Sequence, residues 1–209
     1  MMSDQRKSIV YIAVSADGYI ARPDGSVDWL DRPRTAGDYG MAAFQKTIDT
    51  IIFGRRTFDE AVERFFGGNP EKFVDRRSKI KNYVISHRPG PSVPGLEFVN
   101  EPLDAFVKGL RAQPGKNIWV MGGGGVIGSL LDVGGIDEFI INVIPTFIGE
   151  GVPLIAPQRR TVKLQLIDTN AWKDGVTKLH YKVLLPSRSK QPSAKKSKTR
   201  NKNTGREAS

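Results

Sequence analysis

The chain is 209 residues long and 39% apolar, with no cysteine and only two histidines, His87 and His180. That composition supports a full hydrophobic core and excludes disulfides, thiolate zinc, a cysteine nucleophile and a histidine-rich metal site. The formal net charge is +10, but eight Lys or Arg against one Glu between Pro186 and Ser209 supply +7 of it. The tail 186–209 has no apolar residue larger than alanine, so it cannot offset its own ordering entropy and reads as a disordered basic extension. It also lacks an aromatic side chain to stack on bases, which argues against specific nucleic-acid binding. Residues 1–7 read as a flexible start without the apolar core of a signal peptide, and no apolar run approaches the ~18 residues of a membrane span. A cytoplasmic protein with one folded domain over 8–185 is expected.

The first predicted element, Ser8–Ser15, is a β-rich apolar run that leads into the turn Asp17-Gly18 and a loop through Tyr19, Ile20 and Pro23-Asp24-Gly25. A short turn at Val27–Leu30 precedes a helix expected from about Gly37 to Thr47. Asp49–Gly54 is a buried strand, and Thr57 is placed to cap a helix carrying Phe58, Ala61, Val62 and Phe65. Glu71–Lys79 reads as a surface loop or short helix. Lys81–Ser86 and Leu96–Val99 read as strands, the second half-covered, and Pro102 suits the first position of a helix that presents Leu103, Phe106, Val107 and Leu110. Asp137–Pro145 is another buried strand, and Phe147–Leu154 is an apolar loop holding Glu150. Val162–Ile167 and Val176–Leu184 alternate and form a closing hairpin. Alternating strands and helices make an α/β protein: a mostly parallel central sheet with helices on both faces and a C-terminal antiparallel hairpin. The exposed edge and the apolar Phe147-Ile148 segment allow a homodimer.

The stretch between the last two parallel strands carries most information. Ile118–Met121 is an apolar strand, Gly122 to Gly125 are four consecutive glycines, and Val126, Ile127, Leu130 and Leu131 follow at helical spacing. A strand, a glycine turn and a helix start offer free N–H groups and the positive end of a helix dipole, which together form an anion site. The competing reading is that the glycines only let the helix pack closely on the sheet. The run comes late in the chain and lacks the G-x-G-x-x-G spacing after a first strand, which argues against a Rossmann domain.

Four strand ends, Val14–Ala21, Gly54-Arg55-Arg56-Thr57, Ser86-His87-Arg88 and Val120–Val126, occur in an order and spacing that resembles the dihydrofolate reductase-like fold, a three-layer arrangement. They are most similar to the reductase domain of riboflavin-biosynthesis enzymes, over about Ser8 to Leu185. The resemblance implies NADPH. On it, Gly54, Arg55, Arg56 and Thr57 meet the 2′-phosphate and pyrophosphate. Ser86, His87 and Arg88 flank the adenine end. Met121, Gly122, Gly123, Gly124, Gly125, Val126 and Ile127 form the glycine turn, with a cis peptide between Gly122 and Gly123. Ala13, Val14 and Ile20 lie at the nicotinamide. The physics agrees at the second motif, where forked cationic donors and a helix start occur within four residues.

The resemblance departs at the substrate. Dihydrofolate reductases carry an acidic residue five places after the active-site-loop tryptophan, whereas here Trp29 is followed at that offset by Arg34, with Asp28 and Asp31 out of place. Folate reduction is therefore not expected. Asp17, Asn142 and Glu150 are the candidate catalytic residues, and Arg32 or Arg34 could pair with a substrate phosphate. The implied activity is hydride transfer to a small heterocyclic or sugar-linked molecule, such as the riboflavin precursor 5-amino-6-(5-phosphoribosylamino)uracil. A non-catalytic nucleotide-binding protein, or a nucleic-acid binder acting through its basic tail, is the alternative. The reductase reading requires residues 54–57 and 122–126 to meet at one end of the sheet.

Overall fold

The computed structural model describes residues 5–33, 37–75, 79–157 and 161–184. The expectations for residues 1–4, for Arg34 and for the chain from 185 onward lie outside the described residues. The strands are β1 (Ser8–Ser15), β2 (Tyr19–Ala21), β3 (Ile48–Gly54), β4 (Lys81–Ile85), β5 (Leu96–Val99), β6 (Asn117–Gly122), β7 (Glu138–Ile144), β8 (Val152–Pro153), β9 (Lys163–Ala171) and β10 (Thr177–Leu184). The helices are α1 (Met41–Gln45), α2 (Arg55–Phe66), α3 (Pro70–Phe73), α4 (Leu103–Ala112) and α5 (Gly124–Asp132), with a 3₁₀ turn at Asp28–Leu30.

Eight strands form one sheet in the order β5-β4-β3-β6-β1-β7-β10-β9. The first six are parallel to their neighbours, and β10 and β9 add the antiparallel hairpin. Strand side chains alternate between faces, so each strand feeds two cores. Val10, Ile52, Ile118 and Val120 pack under α4 and α5 with Phe106, Leu110, Ile127 and Leu130. Their sequence neighbours Ile9, Tyr11, Ile51, Phe53 and Trp119 pack on the other face with Phe44 of α1 and Phe58 and Val62 of α2. This is the three-layer architecture of the dihydrofolate reductase-like fold.

Several boundaries differ from the sequence expectation. Helix α2 begins at Arg55, and Gly54, still extended at φ −79° and ψ 151°, is its cap in place of Thr57. Pro102 is the cap of α4 and not its first residue. Helix α1 is confined to Met41–Gln45 because Gly40 at φ 92° breaks the backbone before it and β3 begins at Ile48 after it. Strand β9 runs on to Ala171, since Asp168, Thr169 and Asn170 still pair with β10. It forms the outer edge and is exposed at all nine residues. No helix among the described residues is long and apolar enough to cross a membrane.

Two segments expected to be loops pair with each other: β2 and β8 form a small antiparallel ribbon with Tyr19 opposite Pro153 and Ala21 opposite Val152. The ribbon lies over the carboxyl ends of the parallel strands. At Gly151 an added Cβ would fall 2.2 Å from the Ala21 carbonyl oxygen, so backbone and not a pliant side chain blocks it. Gly151→Ala is therefore expected to cost about 1–3 kcal/mol of stability, as overpacking does. Gly109→Ala, at a helical position with nothing within 4 Å, should instead raise stability by roughly 0.5–1 kcal/mol. Thermal unfolding followed by circular dichroism distinguishes the two, and equal effects would contradict the packing described for the ribbon.

Candidate functional site

Strand β3 passes into α2 without a loop, and β6 passes into α5 across Gly123 alone. The two strands are neighbours, with Phe53 opposite Gly122. Both helices therefore start side by side at the carboxyl end of the sheet, where open α/β sheets place their ligands. Neither start is capped by a side chain. Each leaves first-turn N–H groups without intrahelical partners, at the positive end of its dipole. The segments 54–57 and 122–126 are thus in contact, as the reductase reading required.

The glycines divide by role. A Cβ on Gly54 would lie 3.0 Å from Val126 Cγ2, one on Gly123 3.2 Å from Thr57 Oγ1, and one on Gly124 2.4 Å from the Pro153 carbonyl oxygen. These three permit close approach within the protein. Gly122 has φ +132°, and the Gly122–Gly123 peptide is cis, as the family resemblance implied. Within the run, only Gly125 has nothing within 4 Å of its would-be Cβ. Packing thus accounts for Gly123 and Gly124, backbone conformation for Gly122, and Gly125 is left facing open space.

A cleft of about 610 Å³ opens over the two helix starts. Ala13, Ile20, Ser86, His87 and Met121 line it, together with the segments 54–57 and 122–126. Arg55 Nε lies 2.8 Å from both Asp59 carboxylate oxygens, Nη1 donates to the Pro89 carbonyl at 3.2 Å, and the guanidinium stands 5.4 Å from the Phe98 ring centroid. Arg56 pairs with Glu60 at 2.8 Å and donates to the Pro23 carbonyl at 3.2 Å. Exposed pairs of this kind contribute only about 0–1 kcal/mol, so an incoming phosphate can displace the carboxylates. Ser86 Oγ donates to the Arg88 carbonyl at 2.7 Å and accepts from the Arg88 amide at 3.1 Å, and His87 Nδ1 lies 3.1 Å from Asn100 Oδ1.

Three residues expected at the cofactor do not line the cleft. Val14 and Ile127 are buried in the core beneath α5, and the Arg88 side chain is exposed outside it. Sequence reasoning missed Asn100 and Glu101, at the carboxyl end of β5, and Ser129, one helical turn beyond Gly125; all three line the cleft. The strand-end rule that singled out the other loops also applied to Asn100 and Glu101.

A second chamber of about 280 Å³ adjoins the cleft and shares Ile12, Ala13, Leu30 and Met121 with it as common walls. Its polar lining comes from Tyr11, Arg32, Asp38, Tyr39 and Asn142. Asn142 is opposite Ala13 in the β1–β7 pairing and only 5% exposed, yet its Oδ1 has no hydrogen-bond partner within the protein. Arg32 Nη1 is likewise buried and unpartnered, while Nη2 donates to the Asp174 carbonyl at 2.5 Å and lies 4.0 Å from its carboxylate. Tyr11 donates to the Tyr39 carbonyl at 2.9 Å. Burial pushes the Tyr11 pKa above its ordinary value, an effect the Asn142 amide partly offsets, so this hydroxyl stays protonated.

Of the three candidate catalytic residues, Asn142 lines the chamber, and Asp17 and Glu150 line neither it nor the cleft. Asp17 accepts from the Ile148 amide at 3.1 Å and the Gly149 amide at 2.8 Å, tying the loop after β1 to the loop after β7. The Ser15 hydroxyl first, and these amides with it, hold its carboxyl below the usual range. Glu150 is exposed and lines neither cavity.

Residues 6–178 match the model of the RibD C-terminal domain family. The uncharacterised protein YwjB of Bacillus subtilis (strain 168) is 35% identical over 189 residues, covering 85% of this chain and 98% of YwjB. A crystal structure of a Shewanella sp. PV-4 protein provisionally ascribed to riboflavin biosynthesis superposes with a TM-score of 0.73 at 26% identity, over 86% of this chain and 99% of that one. Dihydrofolate reductase from Enterococcus faecalis, complexed with NADP(H), shares the fold with a TM-score of 0.60 at 15% identity, over 86% and 97% of the two chains. The chain belongs to the RibD C-terminal domain family.

An unpaired polar atom in a buried site lowers stability by roughly 1–3 kcal/mol. Asn142→Leu, nearly isosteric, is expected to raise the unfolding free energy by about 1 kcal/mol in denaturant titrations, whereas a loss of that size would make Asn142 a structural residue. Asp17 stabilises the fold above its unfolded-state pKa, and that contribution fades as pH falls through its lower folded value. Asp17→Asn should therefore flatten the acid side of the stability-versus-pH curve.

Proposed function

We propose that this member of the RibD C-terminal domain family is an NADPH-dependent reductase, with its cofactor along the larger cleft and its acceptor in the adjoining chamber. One observation carries the reading: two uncapped helix starts meet in a single cleft, and that cleft shares an apolar wall with a polar chamber. The residues present suit the cofactor. The first-turn amides of α2 and α5 would hold its diphosphate, and Arg55 and Arg56 would exchange their carboxylate partners for its 2′-phosphate.

When bound, NADPH supplies a hydride. The chain supplies position and dryness. Ile12, Ala13, Leu30 and Met121 form an apolar wall between cleft and chamber, which keeps water from the transfer. The β2–β8 ribbon brings Ile20 and Val152 over the cleft mouth. Asn142, Arg32 and Tyr11 give the chamber the polar lining against which the acceptor would sit. No covalent nucleophile is needed, and placement of the reacting groups accounts for the rate. The acceptor class is a small heterocyclic or sugar-linked molecule. The resemblance to riboflavin-pathway reductases and the NADP(H) complex of a protein with the same fold support this reading.

NADPH titrated against the protein should quench tryptophan fluorescence with a saturable curve. The double variant Arg55→Ala/Arg56→Ala loses charged hydrogen bonds worth about 1.5–3 kcal/mol each. It should weaken NADPH by at least about 10- to 100-fold while leaving NADH, which lacks the 2′-phosphate, nearly unchanged. Removal of the chain from Pro186 onward should leave NADPH affinity intact. Absence of NADPH binding at millimolar concentration would end the reductase assignment, and loss of binding on truncation would favour a tail-borne function.

A further inference from the structure

The first half of β9 alternates apolar and polar residues, the pattern of a strand with one covered face. Leu164 and Leu166 stand opposite Val183 and Tyr181 of β10. Directly opposed residues share a face. Val183 belongs to the core under α4 and α5, and Tyr181 packs against it. Leu164 and Leu166 therefore point to that same side of the sheet, one strand beyond the core. They are nevertheless 41% and 52% exposed, and Leu179 and Tyr181 are only half-buried beside them. The hairpin thus presents an apolar face that folding leaves uncovered. The segment the sequence had suggested for self-association offers less. Ile148 packs against Trp29, Ile144 and Val176, which leaves Phe147 as a single exposed side chain, an ordinary occurrence.

The cover for this face comes from another molecule. Outside the described residues, the sequence holds only Met1, Met2 and Leu185 as apolar side chains larger than alanine, proline aside. Three such groups at the two ends of the chain do not match a two-stranded face. A second copy does. An apolar face is its own complement, a two-fold axis brings identical patches together, and homodimer contacts are the more apolar class of interface. A bulge at Ile167, where the pairing with β10 shifts register between His180 and Tyr181, interrupts the strand and blunts addition of a further strand to its edge. The two hairpins then pack face to face, as stacked sheets do. Nine residues of β9 span about 30 Å, and two strands are about 10 Å wide. That footprint is smaller than the ~800 Å² per partner of a standard interface, so the association is weak and depends on concentration.

We propose that the chain forms a two-fold dimer through the β9–β10 face, with Leu164 and Leu166 at the centre of the contact. Leu164, Leu166, Leu179 and Tyr181 line neither the cleft nor the chamber, so the dimer is independent of the reductase reading.

Sedimentation velocity on the full chain, from low to high micromolar concentration, should show a reversible monomer–dimer equilibrium. Leu164→Lys and Leu166→Lys each bring an ammonium group into the apolar contact and should raise the dissociation constant by more than about 10-fold. Ile167→Lys is the control. Ile167 is 50% exposed on the same strand, but it lines a groove with His180 and Lys182 on the opposite side of the sheet, where His180 faces Ile140. Its substitution should change the dissociation constant by less than about threefold. Circular dichroism and NADPH titration of all three variants report that the fold and the cleft persist. A chain that stays monomeric throughout, a dimer indifferent to both leucine variants, a dimer weakened equally by Ile167→Lys, or assembly beyond two copies would overturn the proposal. None of these outcomes bears on the cofactor, and failure to bind NADPH would leave the dimer standing.

Discussion

The register between two neighbouring strands governs the molecule. Phe53 of β3 lies opposite Gly122 of β6, and each strand runs almost directly into a helix. Two sets of unpaired backbone amides and two positive dipole ends are thereby fixed side by side. Glycine lets the helix starts meet closely, because a methyl group at Gly54 or Gly123 would crowd Val126 or Thr57. Sheet pairing therefore converts a local sequence feature into a site that no single segment could form. A slip of one residue would turn the side chains of one strand to the opposite face and separate the two helix starts.

A division of labour follows from the two faces of the sheet. Beneath α4 and α5 the strands contribute Val10, Ile52, Ile118 and Val120 to an apolar core. On the opposite face the same strands contribute Tyr11, Trp119 and Asn142 to the chamber. The large cleft presents backbone donors suited to a molecule shared by many enzymes. The chamber presents side chains, and side chains vary. A fold built this way can keep one binding cleft while varying what sits beside it.

Much of this was legible in the chain. The glycine run, the Gly54-Arg55-Arg56-Thr57 motif and the alternation of elements led to the sheet and the meeting of the two helix starts, and the family resemblance implied the cis peptide. Other features were hidden for physical reasons. The β2–β8 ribbon joins three residues to two across more than a hundred positions, and so short a pairing leaves no periodic trace. Thr57 resembles a helix cap, but the unbroken passage from strand to helix hands that place to Gly54. Asp17 and Asn142 read alike as polar residues near strand ends. One is tied to the Ile148 and Gly149 amides, and the other lines the chamber with its Oδ1 unpaired, a difference made by tertiary neighbours. The chamber draws on positions 11, 32, 38, 39 and 142, which only tertiary structure gathers.

The central claim is that the amides opening α2 and those opening α5 act together on one diphosphate. Site-resolved amide hydrogen exchange with and without NADPH tests it directly. The account predicts that saturation with NADPH slows exchange at Arg56 and Thr57 and at Gly124 and Gly125 in the same titration, with a common midpoint. Protection confined to one helix start, or midpoints that differ between the two, would contradict it.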